Sequence, residues 1–289
     1  MSTACHVYTG TAGHSAWFSE DAGLTWVHPN SHSGMYLEAR VWSFASHPAL
    51  PDLLYAGTDM GIFRWSEASA RWTPLPSPMQ DVWAIAIHPS DPNTLVAGTR
   101  PAAFYRSRDG GDTWQARDHG LVSADVHGIA LLDRPDGRRV MLATTNRGLH
   151  RSDDEGQQWH FQKIDSPWQY TRAVVPRADG TGTVFLTNGN GPPGDQGRLW
   201  VSHDHGDHWE NVTLPGKLNS TVWTVATQAD DPLRLWACTN LGQIFSSQDG
   251  GAHWERLPHE FGEIRALHWR RLPIGIRQQE HAVTRRVEN

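Results

Sequence analysis

An eight-residue pattern, Ser-x-Asp-x-Gly-x-x-Trp, constrains the fold of this chain more than any other feature. It runs through Ser19, Asp21, Gly23 and Trp26. It returns at Ser107, Asp109, Gly111 and Trp114, and at Ser152, Asp154, Gly156 and Trp159. Further copies lie at Ser202, Asp204, Gly206 and Trp209, and at Ser247, Asp249, Gly251 and Trp254. A degenerate copy uses Trp65, Glu67, Ser69 and Trp72. The closing tryptophans follow one another at intervals of 46, 42, 45, 50 and 45 residues. A self-similar unit of that length matches the period of a four-stranded propeller blade.

Each unit carries further signals in a fixed order. Val41-Trp42-Ser-Phe44 through His47-Pro48 matches Val82-Trp83-Ala-Ile85 through His88-Pro89, with looser copies starting at Val126, Tyr170, Val222 and Ile264. Alternation of this kind fits an inner strand held between neighbouring blades. A Gly-Thr or Thr-Asn step closes the second strand, as at Gly57-Thr58 and Thr239-Asn240, and Ile62-Phe63 or Phe104-Tyr105 opens the third. In the eight-residue pattern itself, Ser and Asp suit bonding to the backbone of a tight turn, and Gly supplies its left-handed position.

The chain ends specify closure. Every inner strand before Ile264 is followed by a pattern Trp 31 to 39 residues later, yet only 25 residues follow Ile264. At the other end, His6 to Gly10 starts directly on a second strand. The last blade therefore combines the inner strand near Ile264 with strands from the N-terminus. The prediction is an all-β, six-bladed propeller of four-stranded antiparallel blades, closed by the N-terminal strands pairing with the C-terminal inner strand. Residues 1–272 form one domain, and 273–289 a polar C-terminal tail.

This pattern resembles the Asp-box, or bacterial neuraminidase repeat, β-propellers, and the resemblance covers nearly the whole chain. It implies the propeller fold and a pocket on the face opposite the Asp-boxes. Sialidases of this kind use three arginines for a carboxylate, a Tyr paired with Glu, and an Asp acid/base. This chain has no Phe/Tyr-Arg-Ile-Pro segment near its start, so a true sialidase is not expected. Assembly factors share the repeat, which keeps a non-catalytic scaffold as the alternative.

Composition excludes some functions. Lys+Arg is 25 against Asp+Glu 31, a formal charge of −6, so no basic excess supports nucleic-acid binding. No apolar run of about 18 residues points to a membrane helix. The start of the chain shows no basic-then-apolar leader, and Cys5 and Cys238 alone make no disulfide framework, so a cytoplasmic location is expected.

Function is expected where blades depart from their own repeat. Loops entering the inner strands and loops between second and third strands share the face opposite the Asp-boxes. The inner-strand Trp slot of Trp42, Trp83 and Trp223 becomes His127, Thr171 and Arg265 in other blades. Arg40, Arg100, Arg172 and Arg265 come from separate blades, and guanidinium groups suit bidentate capture of an anion. Asn146, Asn188, Asn240 and Trp168 are further candidates for contacting a ligand. His127, with Asp59, Asp125, Glu263 and Tyr170, offers acid/base chemistry. No organic cofactor is expected. A divalent metal would draw on His14, His32 and His127, although no local metal motif is present. These residues point to a hydrolase- or lyase-like enzyme binding a small or sugar-like anionic substrate. The alternative is an assembly factor binding a protein or peptide partner.

Overall fold

A computed structural model describes residues 5–27, 33–36, 38–101, 103–116, 125–154 and 156–271. The described regular elements are all strands, paired into six sheets. Five sheets are four-stranded antiparallel meanders beginning at Val41, Val82, Val126, Tyr170 and Val222, here blades two to six. The closing blade pairs Ala16–Ser19 with Cys5–Thr11, and Cys5–Thr11 with Ile264–Arg271. Its outermost strand is reduced to a bridge between Phe18 and Val27. His32 lies outside the described residues, as do Leu272 and the tail.

Closure occurs as the chain ends require. Val7 pairs with Trp269 and Tyr8 with His268 in an antiparallel ladder. The joint is packed as well as hydrogen-bonded, because Cys5, Val7, Ile264 and Trp269 share a buried cluster with Trp223, Trp236 and Cys238 of blade six. On the other side, Arg270 Nε donates to the Tyr8 hydroxyl at 3.1 Å, and its guanidinium pairs with Glu67 of blade two. The long inner and second strands of the last blade are thereby paired rather than left as open edges.

Neighbouring blades approach closely at the second strands. A Cβ on Gly57 would stand 2.5 Å from the Val82 carbonyl oxygen, and one on Gly98 2.5 Å from Val126 Cγ1. The Gly-Thr step is thus a contact surface for the next blade. Where Thr replaces Gly, its hydroxyl bonds across instead: Thr144 to the Arg172 carbonyl at 2.8 Å, Thr187 to the Trp223 carbonyl at 3.2 Å.

The Asp-boxes act as turn locks. Ser107 Oγ donates to Asp109 at 2.7 Å and accepts from the Gly111 amide at 2.9 Å. Asp109 accepts from the Thr113 amide, and Trp114 Nε1 donates to the Gly111 carbonyl at 3.0 Å. In the degenerate copy, Trp65 donates to Glu67 at 2.7 Å.

Candidate functional site

Each inner strand carries a β-branched residue at its start, Val41, Val82, Val126, Val222 or Ile264, or, in blade five, one residue in, at Thr171. The ladder register slips at the residue that follows. A bulge re-aims its side chain, so Trp42, Trp83, His127, Arg172, Trp223 and Arg265 form a collar. Trp42 and Trp83 have ring centroids 5.1 Å apart, and Trp83 stacks on His127 at 5.5 Å. The Arg172 guanidinium lies 3.8 Å from the Trp223 ring and 5.3 Å from Trp83. Arg265 lies 4.7 Å from Trp223 and 5.5 Å from Trp42, completing the circle.

This geometry corrects one expectation. Thr171 does not occupy the tryptophan slot; it aligns with the valines, and Arg172 fills the slot. The cause is local. Thr171 is fully buried, accepting from the Thr145 amide and donating to the Thr145 carbonyl, both at 3.2 Å. A β-branched residue with a hydroxyl satisfies that buried position, and the bulge pushes the next side chain toward the axis. Aligning β-branched residues rather than aromatics across the repeats identifies the slot.

Arg172 is only 3% exposed, and its Nε and Nη1 have no hydrogen-bond partner among the described groups. Burial pulls its guanidinium below the usual range, and contact with the Tyr170 hydroxyl partly opposes this. Arginine nevertheless stays protonated in proteins. Burying an unpaired ion costs several kcal/mol, whereas a desolvated cation–π contact returns about 2 kcal/mol. The two indole faces therefore offset only part of the penalty. Blade four holds the residue in place, since the Arg172 carbonyl accepts from Thr144 and the Thr171 carbonyl from His127.

His127 Nδ1 lies 2.7 Å from that Thr171 carbonyl. A carbonyl only accepts, so Nδ1 carries the proton and Nε2 keeps its lone pair. Burial, then the Arg172 charge, keeps the ring neutral by lowering its pKa well below the ordinary value. The Tyr170 ring stands 5.4 Å away.

The rim around the collar is rich in ion pairs. Arg100 Nε lies 3.3 Å from Asp125 and its guanidinium 5.5 Å from Trp83. Arg265 pairs with Glu263. Burial, followed by repulsion from Arg172, brings the Arg265 pKa to about 10, and Arg40 adds further repulsion. Asp59 accepts from the Arg40 amide at 3.1 Å, while the Arg40 side chain itself is exposed. Asn146 is also exposed on this face. The predicted rim carboxylates thus contact rim arginines or backbone.

Other expected ligand contacts fall elsewhere. Asn188 is fully buried, donating to Ser166 and the Trp168 carbonyl and accepting from Trp200 Nε1 at 2.9 Å. Asn240 is buried and bonds the Ile264 carbonyl. Trp168 lines a separate hollow with Asp195, Arg198, Lys217 and Asn219. The glycine-rich loop after Asn188 is pinned, because Thr221 donates to the Gly191 carbonyl at 2.6 Å and its amide to Pro193. His14 is exposed, and among the described residues no three His, Cys, Asp or Glu groups gather as a metal site.

A cavity of about 420 Å³ runs along the inner strands. Collar residues Trp42, His127, Arg172, Trp223 and Arg265 line one end. Its lining continues past Phe44, Ile87, Leu131 and Val175 to His47, Pro89, Ala178 and His205, beside the Asp-box turns. The cavity thus starts at the collar, opposite the boxes, and extends toward the box face.

The BNR/Asp-box repeat model matches residues 105–116. A stretch of 232 residues is 27% identical to the xyloglucanase Xgh74A of Acetivibrio thermocellus, covering 72% of this chain and 24% of that protein. The GH74 enzyme of Niastella koreensis superposes with a TM-score of 0.63 at 17% identity, over 87% of this chain and 43% of that one. A YCF48 structure bound to D1 peptide superposes with a TM-score of 0.51 at 17% identity, over 89% and 81%. The chain thus spans about a quarter of the curated xyloglucanase.

Proposed function

We propose, for a chain built on the BNR/Asp-box repeat and closed into a six-bladed propeller, that its work is to bind an anionic ligand at the collar. The observation that carries this is the Arg172 guanidinium, buried with Nε and Nη1 unpartnered. Arg265, beside it across the Trp223 ring, supplies a second cation. A carboxylate or sulfate bridging them removes the penalty that the indole faces leave uncompensated. The xyloglucanase likeness favours a sugar-like ligand, and the two arginines favour one that carries an acidic group. The likeness to a peptide-bound YCF48 favours a peptide carboxylate.

A catalytic reading rests on His127 and Tyr170. With Nδ1 protonated, Nε2 of His127 is the available base, and the Tyr170 hydroxyl meets the Arg172 guanidinium. Neutralising a sugar carboxylate at Arg172 acidifies the carbon beside it. His127 Nε2 takes that proton, a double bond forms between that carbon and its neighbour, the neighbour's bond to the bridging oxygen breaks, and that oxygen leaves with the proton of the Tyr170 hydroxyl. That is lyase chemistry. Paired-carboxylate hydrolysis fits less well, because Asp125 and Glu263 are paired with arginines.

Calorimetric titration with sulfate, glucuronate and a peptide ending in a free carboxylate tests binding. Saturable binding of at least one, weakened tenfold or more in R172M, is expected. Unchanged binding in R172M overturns the proposal. Formation of an unsaturated uronate, abolished in H127A, tests the catalytic reading.

A further inference from the structure

The channel behind the collar has a specific chemical character. One end is cationic: Arg172, with Nε and Nη1 unpartnered, and Arg265, whose Nε is likewise buried without a partner. The walls between that end and the Asp-box face carry Phe44, Ile85, Ile87, Ile129, Leu131 and Val175, interspersed with Ser43, Thr224 and Gln228. Its volume of about 420 Å³ falls within the range of roughly 300–1,000 Å³ typical of small-ligand pockets. The far end reaches Ala178, an exposed residue, and His205 within an Asp-box.

We propose that the channel is a binding site for a small monocarboxylate with an apolar tail, admitted from the Asp-box face, with its carboxylate on Arg172 and its tail along the inner strands. The inference rests on the anion-binding reading and adds both the ligand class and the side of access. Charge complementarity selects the head group. A sugar acid would meet Arg172 from the rim, where its hydroxyls keep water, since a hydroxyl buried without a partner beside Ile87, Leu131 or Val175 costs free energy. An alkyl chain gains from the same burial. The channel is thus matched to two ends of one molecule, whereas the rim, with its ion pairs, faces water.

The test is a chain-length series of butyrate, hexanoate and octanoate, below micelle-forming concentrations, titrated calorimetrically with sulfate as a tailless anion. Affinity is expected to rise about fourfold per added methylene. R172M is expected to weaken octanoate tenfold or more. Access is read from A178C and M60C carrying a bulky maleimide, Met60 being exposed in the second-to-third loop of blade two. Cys5 and Cys238 are buried and stay unlabelled. Label on A178C is expected to block octanoate, and label on M60C to leave it unchanged. A flat chain-length series with sulfate still bound through Arg172 overturns the channel ligand while leaving the anion reading standing. Loss of sulfate and carboxylate binding together overturns both. Blockage from M60C alone overturns the side of access.

Discussion

The guanidinium of Arg172 stands 3.8 Å from the ring centroid of Trp223, with the ring of Trp83 5.3 Å away. A cation from blade five is thereby held near indoles of blades six and three. Bulges at equivalent points of the inner strands bring these residues together, although they are far apart in sequence.

The first prediction concerns the cost of that arrangement. An uncompensated buried charge replaced by an apolar side chain of similar length often leaves stability unchanged or raises it by about 1–4 kcal/mol. R172M is therefore expected to unfold in urea at the same or a higher midpoint than the parent. A loss above about 2 kcal/mol would show that the guanidinium is already well paired in the free protein.

A second prediction concerns pH. Burial pushes both His268 and His6 down to about 4, with the Arg270 charge adding to the effect at His6. The unfolded chain protonates its histidines near pH 6.5, but the native fold resists until about pH 4. The associated stability is full above pH 6.5 and is lost as pH falls through this window. Urea midpoints between pH 7.5 and 4.5 are expected to decline, and H268F to decline less. An identical slope in H268F would contradict this. Asp109 titrates separately, because hydrogen bonds from Thr113 hold it at about 2, so its contribution disappears only in stronger acid.

The third prediction addresses closure. Glu67 receives Trp65 Nε1 at 2.7 Å and the Tyr8 hydroxyl at 3.2 Å, and it pairs with Arg270. Removing an acceptor shared by partly buried donors costs about 1–3 kcal/mol. E67A is expected to lose that much in urea unfolding, and Y8F less. Unaltered stability in E67A would mean the backbone ladder alone holds the ring.

The fourth separates scaffold from site. Ser107 is 1% exposed and joins Asp109 to the Gly111 amide. S107A is expected to cost about 1–3 kcal/mol and to leave sulfate affinity unchanged. A parallel loss of affinity in the folded variant would tie the Asp-boxes to ligand recognition.

The fold was legible because each blade repeats its punctuation. Ser, Asp, Gly and Trp recur at fixed offsets, and the missing box after Ile264 together with the surplus strand at His6 implied closure. The site was partly legible. Arg265 and His127 stand out as departures from a tryptophan slot and Arg172 as an arginine near an inner-strand start, and all three lie in the collar. Thr171 misled because the repeat was aligned on Tyr170, an aromatic, when the buried β-branched position governs the bulge. Asn188 and Asn240 marked the correct loops, but composition does not distinguish an amide facing a ligand from one that secures Trp200 or the next blade. The pairing of Asp125 with Arg100 and of Glu263 with Arg265 depends on contacts within and between blades that spacing does not specify.

The most direct measurement is anomalous diffraction from crystals soaked in selenate, with R172M as control. A selenium peak is expected within hydrogen-bonding distance of Arg172 Nε and Nη1, absent in R172M. Parent crystals with no peak there, or with the guanidinium bonded to one of the chain's own carboxylates, would contradict it.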